Sequence, residues 1–353
     1  DVKFANLPNS MFKPIIGEEG LLYRYNFTVK ESTPLNKDLA IDPEMIGTMF
    51  EELVTDRVGK GAFYTPRIVV SYMCKEGIKT ILEEKTDIPK EQLVQLVDFE
   101  NAETITIPNA KKIRKVLDGI KAIDPACGSG AYLLGLLQEI IKIHENLQTR
   151  DHEFTRSKYD MKLHIISRTI FGVDLDPFAT QIAMLRLWLS LAVESEKAIQ
   201  LPNLDFNIET GDSLLAPDPS RIDWFQSDLY NRADKLAEKK EIFLSTKENI
   251  EALRREIRVE EADIRAKLRE QNDYPDSIDF RIHFAAVFSK NGGFDLVLAN
   301  PPYVRHEEIP EDIKNDLFNN YSGGQIQPVE KKSDLYCYFY LRANQLLRPN
   351  GTQ

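Results

Sequence analysis

The period of the apolar positions changes near residue 119, and that change divides the chain. Ahead of it, apolar residues recur at Met45, Ile46, Met49, Phe50, Leu53 and Val54, the spacing of one helical face. Asp42 stands as their N-cap, with Pro43 at the first helical position. Residues 1 to about 35 are irregular, with Pro8, Pro14 and Pro34 among scattered aromatics. A glycine-punctuated loop, Gly59-Lys-Gly-Ala-Phe-Tyr-Thr-Pro66, leads to a second predicted helix running from about Pro66 through Ile81.

Beyond Gly119 short apolar runs alternate with helical stretches. Ile120–Asp124 reads as a strand ending in a glycine-rich turn, and Tyr132–His144 as the helix after it. Ile165–Val173 is a second strand candidate, ending at Asp174-Leu-Asp-Pro177, before an apolar helix from Phe178 to Val193. Phe206–Glu209 and Phe294–Ala299 are the third and fourth, and Leu346-Leu-Arg-Pro-Asn-Gly351 reads as a helix end turning into a further strand. Strands alternating with helices predict an α/β fold with a doubly wound, Rossmann-like parallel sheet. Three regions follow: a helical connector over 1–118, a catalytic domain over 119–216 and 291–353, and an insertion over 217–290. Within the insertion, Asp228 to Gln271 lacks Gly and Pro and predicts a long helix or helical hairpin with a mixed-charge outer face. Its role is open between a packing arm and an arm contacting DNA or a partner.

Composition narrows the classes. The chain has 353 residues, 42% hydrophobic and 29% charged, ordinary for a globular protein of about two domains. No apolar run approaches the ~20 residues of a membrane span, so no membrane partner is expected. The start carries no signal-peptide pattern and no initiator Met, and the chain is expected to begin inside a longer protein. Cys74, Cys127 and Cys337 form no CxxC pair and the five histidines are dispersed, so neither metal nor disulfides are expected, and a reducing cytoplasm is. The net charge of −11 runs against a chain that grips phosphates over its whole surface.

Candidate chemistry sits where the predicted strands end. Asp124-Pro-Ala-Cys-Gly-Ser-Gly130 is a strand-to-helix turn in which Gly128 and Gly130 allow close backbone approach to a ligand, with Ala126 in the same stretch. Such turns also occur for structural reasons alone. Asp174, followed by Leu175, ends the next strand, where a carboxylate accepts hydrogen bonds from ribose hydroxyls. About 45 residues separate it from the turn, against ~20 in dinucleotide enzymes, which counts against a dehydrogenase. Asp176 reads as a helix N-cap. Asp212, with Ser213, ends the third strand and is placed either for an adenine amino group or to form a Gly-Asp-Ser turn. Asn300-Pro-Pro-Tyr303 follows the fourth strand. Pro301 and Pro302 impose an extended turn without amide donors, leaving the Asn300 side chain and the Pro301 carbonyl as fixed acceptors beside the Tyr303 ring. Two acceptors suit an exocyclic amine, whose nitrogen is a poor nucleophile because its lone pair is conjugated.

These motifs together resemble those of amino-group DNA methyltransferases, and Gly61-Ala-Phe-Tyr-Thr-Pro66 is similar to the N-terminal cofactor motif of the adenine-modifying class. Pro43-Glu-Met-Ile-Gly47, Phe50-Glu-Glu-Leu53, Lys332-Ser-Asp-Leu-Tyr336 and Phe339-Tyr340 resemble stretches of type IIG restriction-modification enzymes. The resemblance covers about residues 40–215 and 290–353. It implies an S-adenosylmethionine-dependent, site-specific adenine N6 methyltransferase acting on a base flipped out of double-stranded DNA, without a metal. By the same resemblance Thr65 touches the methionine carboxylate, with Phe63 and Tyr64 walling the pocket. Asp124 and the backbone through Gly130 hold the methionine amino group, Asp174 the ribose and Asp212 the adenine. Asn300, Pro301 and Tyr303 hold the target base.

Departures from the family pattern are also legible. The last strands, a base-stacking aromatic and the target-recognition domain have no counterpart before Gln353, and no Asp…Glu-x-Lys nuclease constellation is evident; Glu83-Glu-Lys85 lies in a helix-like stretch. A nuclease module is expected elsewhere in the parent chain, which belongs to a bacterial or archaeal restriction-modification or phage-defence system. Protein glutamine N5 methylation, RNA methylation, N4-cytosine DNA methylation and a non-catalytic cofactor-sensing subunit stay open as alternatives. The long insertion counts against the compact glutamine enzymes.

Overall fold

The computed structural model describes residues 26–27, 40–41, 65–153, 156–194, 204–219, 227–245, 249–269, 278–322, 329–330 and 332–353. The predicted helix from Asp42, and with it Phe63 and Tyr64, lies outside the described residues. Two two-residue strands, β1 (Asn26–Phe27) and β2 (Ala40–Ile41), pair in parallel.

Helix α1 (Arg67–Lys85) starts at Pro66, whose φ of −58° suits a helix entry. Its Val70, Cys74, Ile78, Ile81 and Leu82 recur at three- and four-residue steps and are buried. Helices α2 (Lys90–Asp98) and α3 (Ile107–Gly119) follow, the latter capped by the Thr106 hydroxyl. The sheet then begins with β3 (Ala122–Asp124), continues through α4 (Ala131–Gln148), α5 (Lys158–Arg168), β4 (Ile170–Asp174), α6 (Pro177–Ala192) and β5 (Ile208–Thr210). After helices α7 (Ser227–Ser245), α8 (Ile250–Arg269), α9 (Phe280–His283) and α10 (Ala285–Asn291) come β6 (Phe294–Val297), α11 (Glu311–Tyr321), α12 (Leu335–Leu346) and β7 (Leu347–Thr352).

The five strands of the main sheet are parallel in the order β5-β4-β3-β6-β7. The fold is thus the α/β Rossmann-like arrangement that the sequence predicts. Pleating sends neighbouring residues to opposite faces. Ala122, Ile170 and Leu296 join the cluster built with α1–α6, whereas Ile123, Phe171 and Val297 join Phe280, Phe284, Val287 and Phe294 on the other side. Phe171, Phe284 and Phe294 meet edge-on at 5.5–5.6 Å between ring centroids, a spacing that adds to the burial of each ring.

Two strand predictions need correction: the third strand starts at Ile208, with Phe206 in the turn before it, and the start of the second is displaced further. Ile165 and Ile166 belong to α5 and the strand starts only at Ile170. The Ser157 hydroxyl accepts from Asp160 N at 3.0 Å and starts the helix. Met161, Ile165 and Ile166 then share its buried face, and Thr169 alone separates the end of this helix from the strand.

The region 217–290 has two structural parts. Helices α7 and α8 pack against each other through Leu236, Ala237, Phe243, Ile257 and Ile264, with Phe206 beside β5 in the same cluster. Arg258 bridges to Glu209 of β5 at 3.2 Å, and Lys240 pairs with Glu261 at 2.6 Å. Helices α9 and α10, by contrast, contribute Phe280 and Val287 to the core under the sheet, together with Phe284 between them.

Candidate active site

A doubly wound sheet opens a crevice where successive strands are added on opposite sides of the first one. Here β4 and β5 extend the sheet to one side of β3, and the chain then crosses to place β6 on the other. The carboxyl ends of β4, β3 and β6 therefore stand side by side. Strand spacing of ~4.8 Å sets β4 and β6 about 10 Å apart across that edge. Asp174, Asp124 and the Asn300 turn are the residues delivered there.

The turn after β3 is built by left-handed glycines. Gly128 has φ +51° and Gly130, which caps α4, has φ +85°. A Cβ on Gly130 would meet Ala183 Cβ at 2.9 Å, so this glycine lets α6 approach the turn. A Cβ on Gly128 would meet nothing within 4 Å and would point into open space. That open side is the room a bound small molecule needs. Cys127 N donates to Val173 O and Gly128 N to Asp174 Oδ2 at 2.8 Å, tying the turn to the end of β4. From beneath, the buried Arg186 of α6 donates to the carbonyl and hydroxyl of Ser129 at 2.6 and 2.9 Å. Ser213 Oγ donates to Pro125 O at 2.7 Å, so this hydroxyl braces the turn rather than facing the crevice.

The acidic residues differ in what they have left to offer. Asp174 Oδ1 accepts from Asp176 N and its Oδ2 from Gly128 N, while Gly211 N donates to its carbonyl, making Asp174 the hub of three strand ends. Each carboxylate oxygen keeps a further lone pair. Burial raises its pKa, and backbone donors at Asp176, Gly128 and Leu175 pull against that rise. Asp124 is 2% exposed, and among the described residues the one hydrogen bond it accepts is from Ala126 N at 2.9 Å. Burial, and after it the neighbouring Asp174 charge, holds its pKa well above the carboxylate range. Asp176 caps α6 through Phe178 N, as its position in the sequence predicts. Asp212 Oδ1 accepts from Leu214 N and Leu215 N at 2.7 and 2.9 Å, the turn-forming arrangement of its two sequence readings. The loop behind it is held by buried Arg342, which donates to the carbonyls of Leu214, Ala216 and Pro217. Leu175 is 66% exposed beside Asp174.

The Asn300 turn leaves β6 with Leu298 N bonded to Ile123 O. Asn300 Nδ2 donates to Thr65 Oγ1 at 3.0 Å, joining two motifs that are 235 residues apart. Tyr303 is exposed, and its ring lies 6.2 Å from that of Tyr336 at 41°. Leu335 N donates to Val304 O and His306 N to Asp334 Oδ1, which fixes the start of α12 against this turn. Tyr336 and Tyr340, one helical turn apart, extend the exposed aromatic surface beyond Tyr303.

Three contributors carried no assigned role in the sequence: Arg186, Arg342 and Tyr336. Arg186 had a signal, being the one charged residue in the apolar α6. A guanidinium there needs a buried partner.

Residues 168–353, more than half of the chain, match the profile of the Eco57I restriction-modification methylase family. The chain is 33% identical over 237 residues to a protein of Methanocaldococcus jannaschii named as a type II restriction enzyme and methyltransferase, covering 60% of this chain and 20% of that protein. It is 23% identical over 315 residues to the adenine-specific methyltransferase PglX of Lacticaseibacillus casei, covering 82% and 24% respectively. The solved structure of the type IIL restriction-modification enzyme MmeI in complex with DNA aligns over 87% of this chain and 31% of that one, with 18% identity and a TM-score of 0.46. The chain thus spans between a fifth and a quarter of the length of these curated relatives.

Proposed function

The chain belongs to the Eco57I restriction-modification methylase family, and from that premise we propose that it transfers a methyl group from S-adenosylmethionine to N6 of an adenine flipped out of double-stranded DNA. The observation that carries this reading is the side-by-side delivery of Asp174, the glycine turn with Asp124, and the Asn300 turn at the topological switch point. A donor pocket and an acceptor for a planar amine lie on neighbouring strand ends, which is what group transfer between two bound molecules requires.

The residues present fit the cofactor. Gly128 leaves open space where a side chain would stand, and the buried Asp124 carboxyl accepts, among the described residues, from Ala126 N. In this assignment Asp124 and the turn through Gly130 hold the methionine amino group, Thr65 the carboxylate, Asp174 the ribose hydroxyls and Asp212 the adenine edge. Leu175 lies against the purine, and Phe63 and Tyr64 wall the pocket. S-adenosylmethionine supplies, when bound, a sulfonium methyl open to in-line attack.

The chain's own residues then act on the target amine. Asn300 Oδ1 and the Pro301 carbonyl accept its two hydrogens, which draws the nitrogen out of conjugation and steadies the positive charge it gains. Pro302 removes a competing N–H and keeps the turn extended. Tyr303, with Tyr336 beside it, offers aromatic faces to a planar base, whose stacking is worth ~1–3 kcal/mol. A stacked duplex hides N6, so the base has to leave the helix.

The wider setting belongs to the same reading: a cytoplasmic enzyme of a bacterium or archaeon, working with DNA-recognition and nuclease modules of a longer parent chain. The test uses the complete parent protein, labelled S-adenosylmethionine and unmethylated duplex DNA, with nucleosides separated afterwards. Label is expected in N6-methyladenine, and Asn300→Ala should abolish it while leaving cofactor binding intact. Label in N4-methylcytosine, RNA or a glutamine side chain would overturn the choice of substrate, and transfer surviving Asn300→Ala would overturn the role of Asn300.

A further inference from the structure

A primary amide is useful as an acceptor only if its oxygen, not its nitrogen, faces the hydrogens to be bound. The two ends of an Asn side chain have nearly the same shape, so neighbouring hydrogen bonds decide which way it points. Asn300 Nδ2 spends a hydrogen on Thr65 Oγ1 at 3.0 Å, which turns Oδ1 to the opposite side. Thr65 Oγ1 is thereby an acceptor, and its own hydroxyl hydrogen stays available to donate.

The placement of Thr65 is over-determined. Pro66 restricts it to an extended backbone and opens α1. Along its length α1 lies on β6, the strand that ends in Asn300: a Cβ on Gly77 would meet Leu296 Cδ1 at 2.8 Å. At the far end of the same helix, Lys85 pairs with Asp295 of β6 at 2.5 Å, and Arg348 joins Asp295 to Glu84. Helix and strand are therefore fastened at both ends, and the Thr65–Asn300 hydrogen bond is one of the two fastenings.

We propose that Thr65 is a positioning residue for Asn300, fixing the amide so that Oδ1 meets the target amine, and that its remaining hydroxyl hydrogen couples this orientation to an anionic group of the bound methyl donor. This rests on the reading of Asn300 as the amine's acceptor. A carboxylate that accepts the Thr65 hydroxyl hydrogen leaves the oxygen lone pairs directed at Asn300. Cofactor binding thus strengthens the orientation of an acceptor on the neighbouring strand, and by linkage a seated target base tightens the cofactor.

The complete parent protein carries the test, in the forms Thr65→Val, which keeps the shape and loses the hydroxyl, and Thr65→Ser, which keeps the hydroxyl. Thr65→Val should lower kcat about tenfold, the worth of one orienting hydrogen bond, and Thr65→Ser should restore it. The second readout is the affinity for a duplex containing 2-aminopurine at the target, with and without S-adenosylhomocysteine. The product should tighten duplex binding in the wild type, and Thr65→Val should bring that ratio to one. A Thr65→Val protein with unchanged kcat and a raised cofactor KM would overturn the proposal, as would an unchanged ratio. Thr65→Ala replaces Thr65→Val should the valine variant melt below the assay temperature. Transfer surviving Asn300→Ala marks failure of the underlying reading. Loss of transfer in Asn300→Ala beside a wild-type Thr65→Val marks failure of this proposal alone.

Discussion

Asp124 carries a cost in the free protein that a cationic ligand would repay, and this gives its removal two opposite effects. The carboxyl is 2% exposed, accepts from Ala126 N at 2.9 Å, and has its pKa held well above the ordinary range by burial and then by Asp174. A carboxyl with a raised folded-state pKa binds its proton more tightly in the folded than in the unfolded chain. Its contribution to stability is therefore largest at low pH and is lost as pH rises from the unfolded value of ~3.9 through the raised one. Asp124→Asn keeps the acceptor for Ala126 N and, like the protonated carboxyl, presents a donor on the second atom. The variant's melting temperature should match or exceed that of the wild type at pH 8, with a flatter pH dependence. Binding should move the other way. A charge-assisted hydrogen bond to the methionine ammonium is worth ~1.5–3 kcal/mol, so cofactor affinity should fall about 10- to 150-fold. Calorimetric titration with S-adenosylmethionine in two buffers of different ionisation enthalpy checks the cause, since wild-type binding should release a proton and the variant's should not. Unchanged affinity in Asp124→Asn, or a melting temperature lowered by several degrees at pH 8, would refute the reasoning.

Two further substitutions address the frame around the site. Gly130→Ala places a Cβ at φ +85° and 2.9 Å from Ala183 Cβ, so left-handed strain of ~1–2 kcal/mol and the clash should lower the melting temperature together with cofactor affinity; an unshifted melting curve would contradict the close approach of α6. Asp295→Asn leaves Lys85 and Arg348 without their buried partner and should cost about 3 kcal/mol in denaturant unfolding at pH 7. Burial alone would raise the Asp295 pKa, but hydrogen bonds from Lys85 and Arg348 outweigh it and the net shift is downward. Its contribution is present above pH ~4 and lost as pH falls through the depressed pKa, so the two proteins should converge in acid.

The sequence discloses the site's strand ends far better than its interior braces. Asp124-Pro-Ala-Cys-Gly-Ser-Gly130, Asp174-Leu-Asp-Pro177 and Asn300-Pro-Pro-Tyr303 announce themselves because turns select Gly, Pro and Asp by backbone geometry. Helix α6 was readable almost to the residue, from Asp176 as cap to its apolar run. The difference at Ile165–Ile166 has a local cause: a short apolar stretch cannot declare its period when helix and strand adjoin through a single residue, Thr169. Long-range pairings left no local trace. Nothing near Thr65 points to Asn300, and nothing near Arg342 points to the carbonyls of the 214–217 loop. Such contacts are set by the order of strands in the sheet. Tyr336 was visible only as part of a resembling stretch, because its position beside Tyr303 depends on the Leu335–Val304 hydrogen bond.

Two aspartates on adjacent strands show how the fold divides stability from chemistry. Asp295 and Asp124 are both buried, on β6 and β3, but at opposite ends of the sheet. Asp295 receives Lys85, Arg348, the Lys121 amide and Asn291, and its pKa falls. Asp124 receives the Ala126 amide, and its pKa rises. Burial is common to both, so the difference is set by donors and charge partners. At the end away from the crevice the charge is compensated and fastens α1, β7 and the residue that enters β3 to β6. At the carboxyl end the Asp124 carboxyl has, among the described residues, one amide donor, next to a glycine whose missing side chain leaves open space. A buried acceptor with unused capacity beside an open volume costs stability in the free protein, and a site with that cost is relieved by a ligand that brings the missing cation. The same logic separates Asn300 from its surroundings: a hydrogen of its amide nitrogen goes to Thr65, and among the described residues no hydrogen bond is made to its oxygen.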